Sequence, residues 1–209
     1  MAPRAATESQ AISLIPIKRL TIMVPVEGLT PLITHRFSEK AKRQMLEDQV
    51  KTKTKTKRPP QDPEAEYMAA RYIMDDERDG FPAVGFKAAI VGAARLFDGI
   101  SMTALKQGIY VGGEGSEQLI AINATPRMRE DVCRVGMGTA NLRYRPEYSP
   151  WSALLPVTFV PSMIDESSVI ALVDAAGMGG VGEWRPSAPK SATGSYGQFR
   201  VASGETGIL

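Results

Sequence analysis

Alternation of apolar and polar residues is strongest near the start of the chain, where it predicts the first strand. Between Ile17 and Gly28 most apolar side chains recur at every second position, and the run stops at glycine. Successive side chains of a strand point to opposite faces of a sheet. We therefore expect a strand over 17–28 with one buried face.

Four segments have the features of helices, namely a capping or proline residue at the start, or apolar residues at helical spacing: 38–50, 63–74, 81–99 and 165–177. In the third segment, Phe86 and Phe97 share a predicted apolar face, while Lys87, Val91 and Arg95 form a stripe elsewhere. The fourth segment is expected to end at Gly177, because glycine commonly stops a helix.

The second half of the chain has mostly the alternation typical of strands, over 107–113, 118–124, 140–148, 151–160 and 197–204. Glycines between the first two runs predict a hairpin. Pro156, inside the fourth run, favours an edge position or a bulge because proline cannot donate to a strand ladder. The order strand, helix, strands, helix, strand predicts an α+β fold of the ferredoxin-like kind, with an antiparallel sheet and helices on one face.

Composition agrees with one globular domain. The chain has 209 residues, 43% of them apolar and 23% charged, which suffices to bury a core. No apolar run approaches the roughly 20 residues that cross a bilayer, and the first 20 residues lack the pattern of a signal peptide. We expect no membrane partner and a cytoplasmic location. The single cysteine, Cys133, and the single histidine, His35, cannot assemble a disulfide or a Cys/His zinc site, so no metal or cofactor is expected.

Charge is distributed unevenly, although the net charge is only +2. Residues 36–58 hold nine basic and three acidic side chains, whereas residues 62–79 hold seven acidic side chains and two arginines. This asymmetry indicates a surface that faces a polyanion, or two arms that attract each other. A solvated loop without a partner is the alternative for the lysine-threonine repeat at 51–57.

A glycine-rich segment follows the last predicted helix. Residues 177–182 contain four glycines, after which come Trp184 and Arg185, and a second glycine pair flanks Tyr196. Bare backbone of this kind can approach a phosphate closely, and aromatic rings can stack on bases. Two structural alternatives stay open: a flexible loop after a helix end, and Trp184 as an anchor in the core or at a subunit interface.

These features together resemble the RAMP superfamily of CRISPR proteins. "FPAVGFKAAIVGAARLF" (81–97) is similar to its proline-started helix, "LTIMVPVEGLTPLITH" (20–35) to its first strand and turn, and "GGVGEWRP" with "GSYGQFRV" to its glycine-rich loop and final strand. The short chain is most similar to small, solitary relatives associated with bacteriophage genomes. The resemblance implies a modified ferredoxin-like domain over 17–203, with a projecting basic insertion at about 38–79 and tails at 1–16 and 204–209.

The resemblance also implies a function. We expect a protein that binds single-stranded RNA or DNA with little sequence preference, and copies that assemble head to tail along the strand, in the bacterial host cytoplasm if the protein is phage-encoded. The predicted binding residues are His35, Arg36, Lys40, Lys51, Lys53, Lys55, Lys57, Lys87, Arg95, Arg143, Arg145, Gly180, Gly182, Trp184, Arg185 and Tyr196.

Two other functions are compatible with the sequence. Some RAMP relatives are metal-independent endoribonucleases that use a histidine early in the chain, and His35 follows the first strand directly. No partner for His35 can be assigned from the sequence, so it is only a weak candidate for a catalytic residue. A structural or assembly protein that binds other proteins, without nucleic acid, is the third interpretation.

Overall fold

The computed structural model describes residues 15–37, 46, 61–135, 139–189, 193–203 and 207–208. The strands are β1 (Leu20–Gly28), β2 (Leu32–Ile33), β3 (Gly80–Pro82), β4 (Ile109–Val111), β5 (Leu119–Asn123), β6 (Pro126–Val135), β7 (Thr139–Tyr148), β8 (Ser152–Phe159), β9 (Phe199–Val201) and β10 (Gly207–Ile208). The helices are α1 (Pro63–Ala70), α2 (Ala83–Ala93), α3 (Met102–Gly108) and α4 (Glu166–Gly179), with a 3₁₀ turn over Ala94–Leu96. The predicted helix at 38–50 lies outside the described residues, apart from Leu46.

Most strands belong to one antiparallel sheet, which we call the main sheet. The strand β1 lies between β8 on one side and β9 and β10 on the other, while β8 also pairs with β4 and β5. In chain order α2 lies between β1 and β4, which are both antiparallel to β8 and lie on opposite sides of it, and α4 joins β8 to β9, which lie on opposite sides of β1. This is the split β-α-β arrangement of ferredoxin-like folds. The predicted α+β class with an antiparallel sheet and helices is confirmed.

The two strand segments β4 and β5 do not form the predicted hairpin. Both pair antiparallel with β8, β4 over Val157–Phe159 and β5 over Ser152–Ala153, so they run in the same direction along one edge. The glycine-containing segment between them leaves the sheet and returns, closed by the bridge between Glu114 and Leu119. The prediction was wrong because the glycine-containing segment connects two strands that run in the same direction and both pair with β8. It does not reverse the chain between two neighbouring strands.

Pro156 in β8 lies opposite the interruption between β4 and β5. β8 is an inner strand, not the predicted edge. The carbonyl of Pro156 accepts a hydrogen bond from the Gly112 amide (2.9 Å), at the point where β4 has ended and β5 has not begun. In an antiparallel strand the N–H and C=O of one residue face the same neighbour. The N–H group that proline lacks would therefore face the gap between β4 and β5.

The core lies between the main sheet and helices α2 and α4. The alternate residues Ile22, Val24 and Val26 of β1 are buried, as the pattern predicted, whereas residues 17–19 lie outside the strand. Asp165 caps α4, its carboxylate accepting from the Ser168 amide (2.8 Å). The helix continues past Gly177 to Gly179, so the predicted end was two residues early.

Gly177 has a packing role instead. A Cβ at this position would lie 1.7 Å from the carbonyl oxygen of Phe199, because α4 and β9 approach each other backbone to backbone. α2, in contrast to α4, ends earlier than predicted, at Ala93, which places Arg95 on the 3₁₀ turn and leaves Phe97 partly exposed. Val91, in the predicted cation stripe, is buried.

Three strands form a separate small sheet in the order β2, β7, β6. The helix α1 is fastened beside it by a buried polar network. Asp79 accepts two hydrogen bonds from the Arg71 guanidinium (2.9 and 2.7 Å) and one from the Tyr148 hydroxyl (2.8 Å). Burial, followed by the nearby Asp79 charge, raises the pKa of Tyr148, which therefore stays a neutral donor.

Candidate nucleic-acid interface

The glycine-rich loop, described over residues 180–189 and 193–198, lies between α4 and β9, and backbone hydrogen bonds link it to β2 and to the turn between β1 and β2. The amide of Val181 donates to Gly197, that of Glu183 donates to Ile33, and that of Gly197 donates to Pro31 (2.9, 2.9 and 2.8 Å). The loop therefore packs across the turn between β1 and β2 and reaches the edge of the small sheet. The described part of the loop is therefore held in place by backbone hydrogen bonds.

The glycines of this loop are explained by packing. Gly197 has φ +67°, and a Cβ there would lie 1.8 Å from the Val181 carbonyl oxygen. Gly182 has φ +80° and lies against the Ile33 carbonyl, while Gly180, at φ +67°, caps α4 and donates to Ala176 (3.1 Å). Side chains rarely adopt this region of φ. The amides of Gly180 and Gly197 are thus already used within the protein.

One face of the small sheet carries charged side chains in rows, and we call it the arginine face. Its residues are His35, Arg127, Arg129, Asp131, Arg143, Arg145 and Glu147. Cross-strand pairing sets Arg127 opposite Glu147, Arg129 opposite Arg145, and Asp131 opposite Arg143. Residues directly opposite in an antiparallel pair share a face. Charged side chains therefore occupy every second position of β6 and β7 on this face, as apolar side chains do on the buried face of the main sheet.

His35 belongs to the same face. The pairing of β2 with β7 sets Ile33 opposite Glu147, and the Thr34 amide donates to the Pro146 carbonyl (3.3 Å), which continues that register. Two residues further along the same register, His35 lies opposite Arg145. A row of three nitrogen-bearing side chains, from His35 through Arg145 to Arg129, therefore crosses the small sheet.

The carboxylates of the face are committed mainly to Arg129 and Arg127. Asp131 accepts from Nε of Arg129 (2.9 Å), and Glu147 accepts from both Arg127 and Arg129. Asp131, Glu147 and Arg145 are all buried. Buried carboxylates are tolerated only when paired and hydrogen-bonded, so removing one partner would leave an uncompensated buried charge.

Two aromatic rings of the loop lie over the arginines. The centroids of Trp184 and Tyr196 are 5.9 Å apart. The Arg129 guanidinium lies 5.4 Å from the Trp184 ring centre and 5.1 Å from that of Tyr196, and Arg145 lies 5.3 Å from Trp184. These are cation–π distances. Trp184 also has φ +52°, a conformation that is costly for an aromatic residue and persists only when its surroundings hold it in place.

Arg145 and His35 differ from the rest of the face. Within the described part of the chain, Nε and Nη1 of Arg145 and Nδ1 of His35 are buried and have no hydrogen-bond partner. The carboxylates nearest to Arg145 belong to Asp131 (3.8 Å) and Glu183 (3.9 Å), which is beyond hydrogen-bond distance. Burial, and next the Arg145 charge, lower the pKa of His35 below 6.5, so the imidazole is neutral at pH 7.

The structure brings together one subset of the residues predicted from the sequence. His35, Arg143, Arg145, Trp184 and Tyr196 meet where the loop crosses the small sheet. Gly180 and Gly182 lie in the same loop, and Arg185 donates to the Gly182 carbonyl (2.8 Å), a contact within the loop.

The other predicted residues lie elsewhere or are not described. Arg36 makes an ion pair with Glu117. Lys87 lies on α2 and Arg95 on the following turn, and in the part of the chain that is described no hydrogen bond, ion pair or ring contact links them to the arginine face. The residues Lys40, Lys51, Lys53, Lys55 and Lys57 lie outside the described residues.

Sequence reasoning missed the whole of β6 and, with it, Arg127, Arg129 and Asp131. The segment 126–135 has alternation of charge rather than of apolar residues, so a search for buried faces passes over it. Its signal was the match with 140–148, since both segments place charged residues at alternate positions on either side of a glycine-containing break. Such cross-strand charge pairs are a known form of sheet stabilisation.

Neither a membrane-spanning helix nor a cluster of metal-ligating side chains occurs among the described residues. No protein-family model and no curated protein matches the chain. Among solved structures, the chain is similar to a chain of the type III-B Cmr-beta complex, whose cryo-EM structure was determined bound to cognate target RNA, with 9% sequence identity and a TM-score of 0.48. The match covers 92% of this chain and 61% of that one, so this chain spans about three fifths of its length.

Proposed function

We propose that the protein binds single-stranded RNA or DNA at the arginine face, with little sequence preference. The observation that carries this proposal is the meeting of Trp184 and Tyr196 with Arg129 and Arg145. Bases offer a π-face to aromatic rings whatever their sequence, and guanidinium groups bind phosphates. A surface that combines both suits a strand whose bases are not paired.

Only some arginines of the face lack a hydrogen-bonded carboxylate. Arg127 and Arg129 share Glu147. No carboxylate among the described residues lies within ion-pair distance of Arg143, and the two carboxylates nearest to Arg145, at 3.8 and 3.9 Å, lie beyond hydrogen-bond distance. Phosphates are therefore expected to bind Arg143 and Arg145 rather than the paired arginines. Each phosphate neutralised releases condensed counterion, so affinity should fall steeply with salt.

We further propose that several copies assemble head to tail along one strand. The basic segment 36–58 and the acidic segment 62–79 carry opposite excess charge, which favours contact between neighbouring copies. A heterologous contact of this kind continues from copy to copy unless its rotation closes a ring. The mass of complexes on strands of increasing length tests it, and one copy at every length would refute assembly without refuting binding.

The central test is fluorescence anisotropy with labelled single-stranded RNA, single-stranded DNA and duplex of equal length, over a range of salt. We expect Arg143→Gln to weaken binding by about fivefold and to reduce the salt slope by about one. Arg78→Gln is the matched control, because Arg78 is half exposed, pairs with Asp76 and Glu114, and lies outside the arginine face. No detectable binding at low salt, or equal losses in both variants, would contradict the proposal.

A further inference from the structure

The buried nitrogens without partners are concentrated at one place. Among the described residues, all three such side-chain atoms belong to Arg145 and His35, which face each other across the small sheet. Arg145 is only 6% exposed. Buried donors are nearly always hydrogen-bonded in native proteins, and leaving a charged donor unpaired costs more than a net hydrogen bond contributes. A site that keeps two guanidinium donors unpaired beside an imidazole nitrogen is arranged for an acceptor.

The neighbouring Arg129 shows that an arginine of this face can form hydrogen bonds with its carboxylates. Arg129 lies directly opposite Arg145, yet Asp131 and Glu147 both accept hydrogen bonds from Arg129. Arg145 instead has Asp131 at 3.8 Å and Glu183 at 3.9 Å. Because Asp131 is already committed to Arg129, Glu183 is the carboxylate that competes for Arg145.

Glu183 is held in the covering loop and not in either strand. Its amide donates to the Ile33 carbonyl (2.9 Å), and its side chain is partly exposed. Trp184, the next residue, covers the Arg145 guanidinium. A carboxylate at this distance neutralises the charge without satisfying the donors.

We propose that Arg145 and His35 bind one backbone phosphate of the strand, and that Glu183 is an internal competitor which the phosphate displaces. This inference rests on the proposed function, since it names a phosphate site within the same surface. A phosphate oxygen can accept from the guanidinium and from the Nδ1 tautomer of a neutral imidazole. Glu183 then moves outward to solvent, and the loop residue Trp184 is repositioned with it.

The single histidine of the chain provides a direct probe. In protein purified without a histidine tag, the side-chain nitrogens of His35 give one set of ¹⁵N signals. We expect these signals to shift in a saturable way on titration with a uridine pentanucleotide, which is too short to recruit many copies. A pentanucleotide with neutral methylphosphonate linkages keeps the bases and removes the phosphate charge, so it should leave the His35 signals in place.

Two substitutions test the proposed competitor, Glu183, and the proposed phosphate ligand, Arg145, separately. Glu183→Gln should lower the midpoint of the His35 titration by about fivefold, because it removes a negative charge that competes with the phosphate. Arg145→Gln should raise the midpoint at least about tenfold. The matched control is Glu114→Gln, an exposed glutamate that pairs with Arg78 outside the arginine face, and it should leave the midpoint unchanged.

The outcomes distinguish this inference from the proposed function. A gain of affinity in Glu183→Gln cannot result from misfolding, so it supports the competitor even if Arg145→Gln is unstable. If anisotropy detects the pentanucleotide while the His35 signals stay fixed, or if Glu183→Gln binds no more tightly than wild type, the phosphate site is wrong and the wider function survives. If nothing binds at low salt, the proposed function itself fails.

Discussion

Strands of both sheets place similar side chains at every second position, but these side chains are apolar in the main sheet and charged in the small sheet. In the main sheet, β1 and β8 alternate buried apolar residues with residues on the opposite face, and helices cover the apolar side. In the small sheet, β6 and β7 alternate charged residues, and a loop with two aromatic rings covers them. The first arrangement makes a core, and the second makes a layer of charged and aromatic side chains.

The energetics of the two sheets differ for the same reason. Apolar burial is non-directional and scales with the area removed from water. A buried ion pair returns little net energy but is costly when only one partner is removed. Stability should therefore be lost in the main sheet by removing volume, and in the small sheet by removing one member of a charge pair.

The largest expected effect is in the main-sheet core. Phe86 is fully buried and makes edge contacts with Phe81 and Phe199, at centroid distances of 5.6 and 5.9 Å. Phe86→Ala should lower the free energy of unfolding by about 4 kcal/mol, measured by denaturant titration. Leu154→Ala, on the exposed side of β8, is the control and should cost less than about 1 kcal/mol. Similar losses in both variants would refute this account of the core.

A smaller loss of stability, together with tighter binding, is expected in the small sheet. Asp131→Asn leaves Arg129 with one carboxylate instead of two and should reduce stability by about 3 kcal/mol. It should also tighten the binding of single strands, because it removes a negative charge that lies 3.8 Å from Arg145 and opposite Arg143. Phe86→Ala, assayed where it is still folded, should not change that affinity. If Asp131→Asn weakens binding, the carboxylates of the face have another role.

The smallest effect concerns pH. Burial and the neighbouring Arg145 lower the pKa of His35, with Arg143 lowering it and Glu183 and Glu66 raising it to lesser extents. The folded protein therefore binds fewer protons than the unfolded chain as pH falls below about 6.5, so stability should decline there and stay level above it. His35→Gln should flatten this part of the profile in thermal unfolding. An unchanged slope in the variant would assign the decline to other groups.

The sequence predicted the elements whose signals are local. The apolar alternation of β1 and β8 and the Asp165 cap of α4 depend on neighbouring residues alone, and the structure contains all three. The hairpin assigned to 107–124 failed because pairing partners are a tertiary property: β4 and β5 both pair with β8, and their glycines give no sign of it.

The candidate site was only partly accessible to the same reasoning. Trp184 and Tyr196 stand out in the sequence as large rings in a glycine-rich segment, and Arg143 and Arg145 as charges in a strand. That Arg145 lies beneath Trp184 depends on how the loop crosses the small sheet, and that Arg36 pairs with Glu117 depends on where the segment between β4 and β5 lies. Such contacts join residues that are far apart in the chain, and no periodicity of one segment encodes them.

The close backbone contacts of Gly177 and Gly197 have a consequence for how relatives of this protein can be recognised. Both glycines are required because a carbonyl oxygen occupies the space of a side chain, whether or not a ligand binds. In a library of variants selected only for folding, every other residue should be depleted at these two positions, while Trp184 and Arg143 should vary more freely. A search by glycine spacing would therefore collect proteins that share this loop architecture, and the rings and arginines around it would have to decide which of them share its activity.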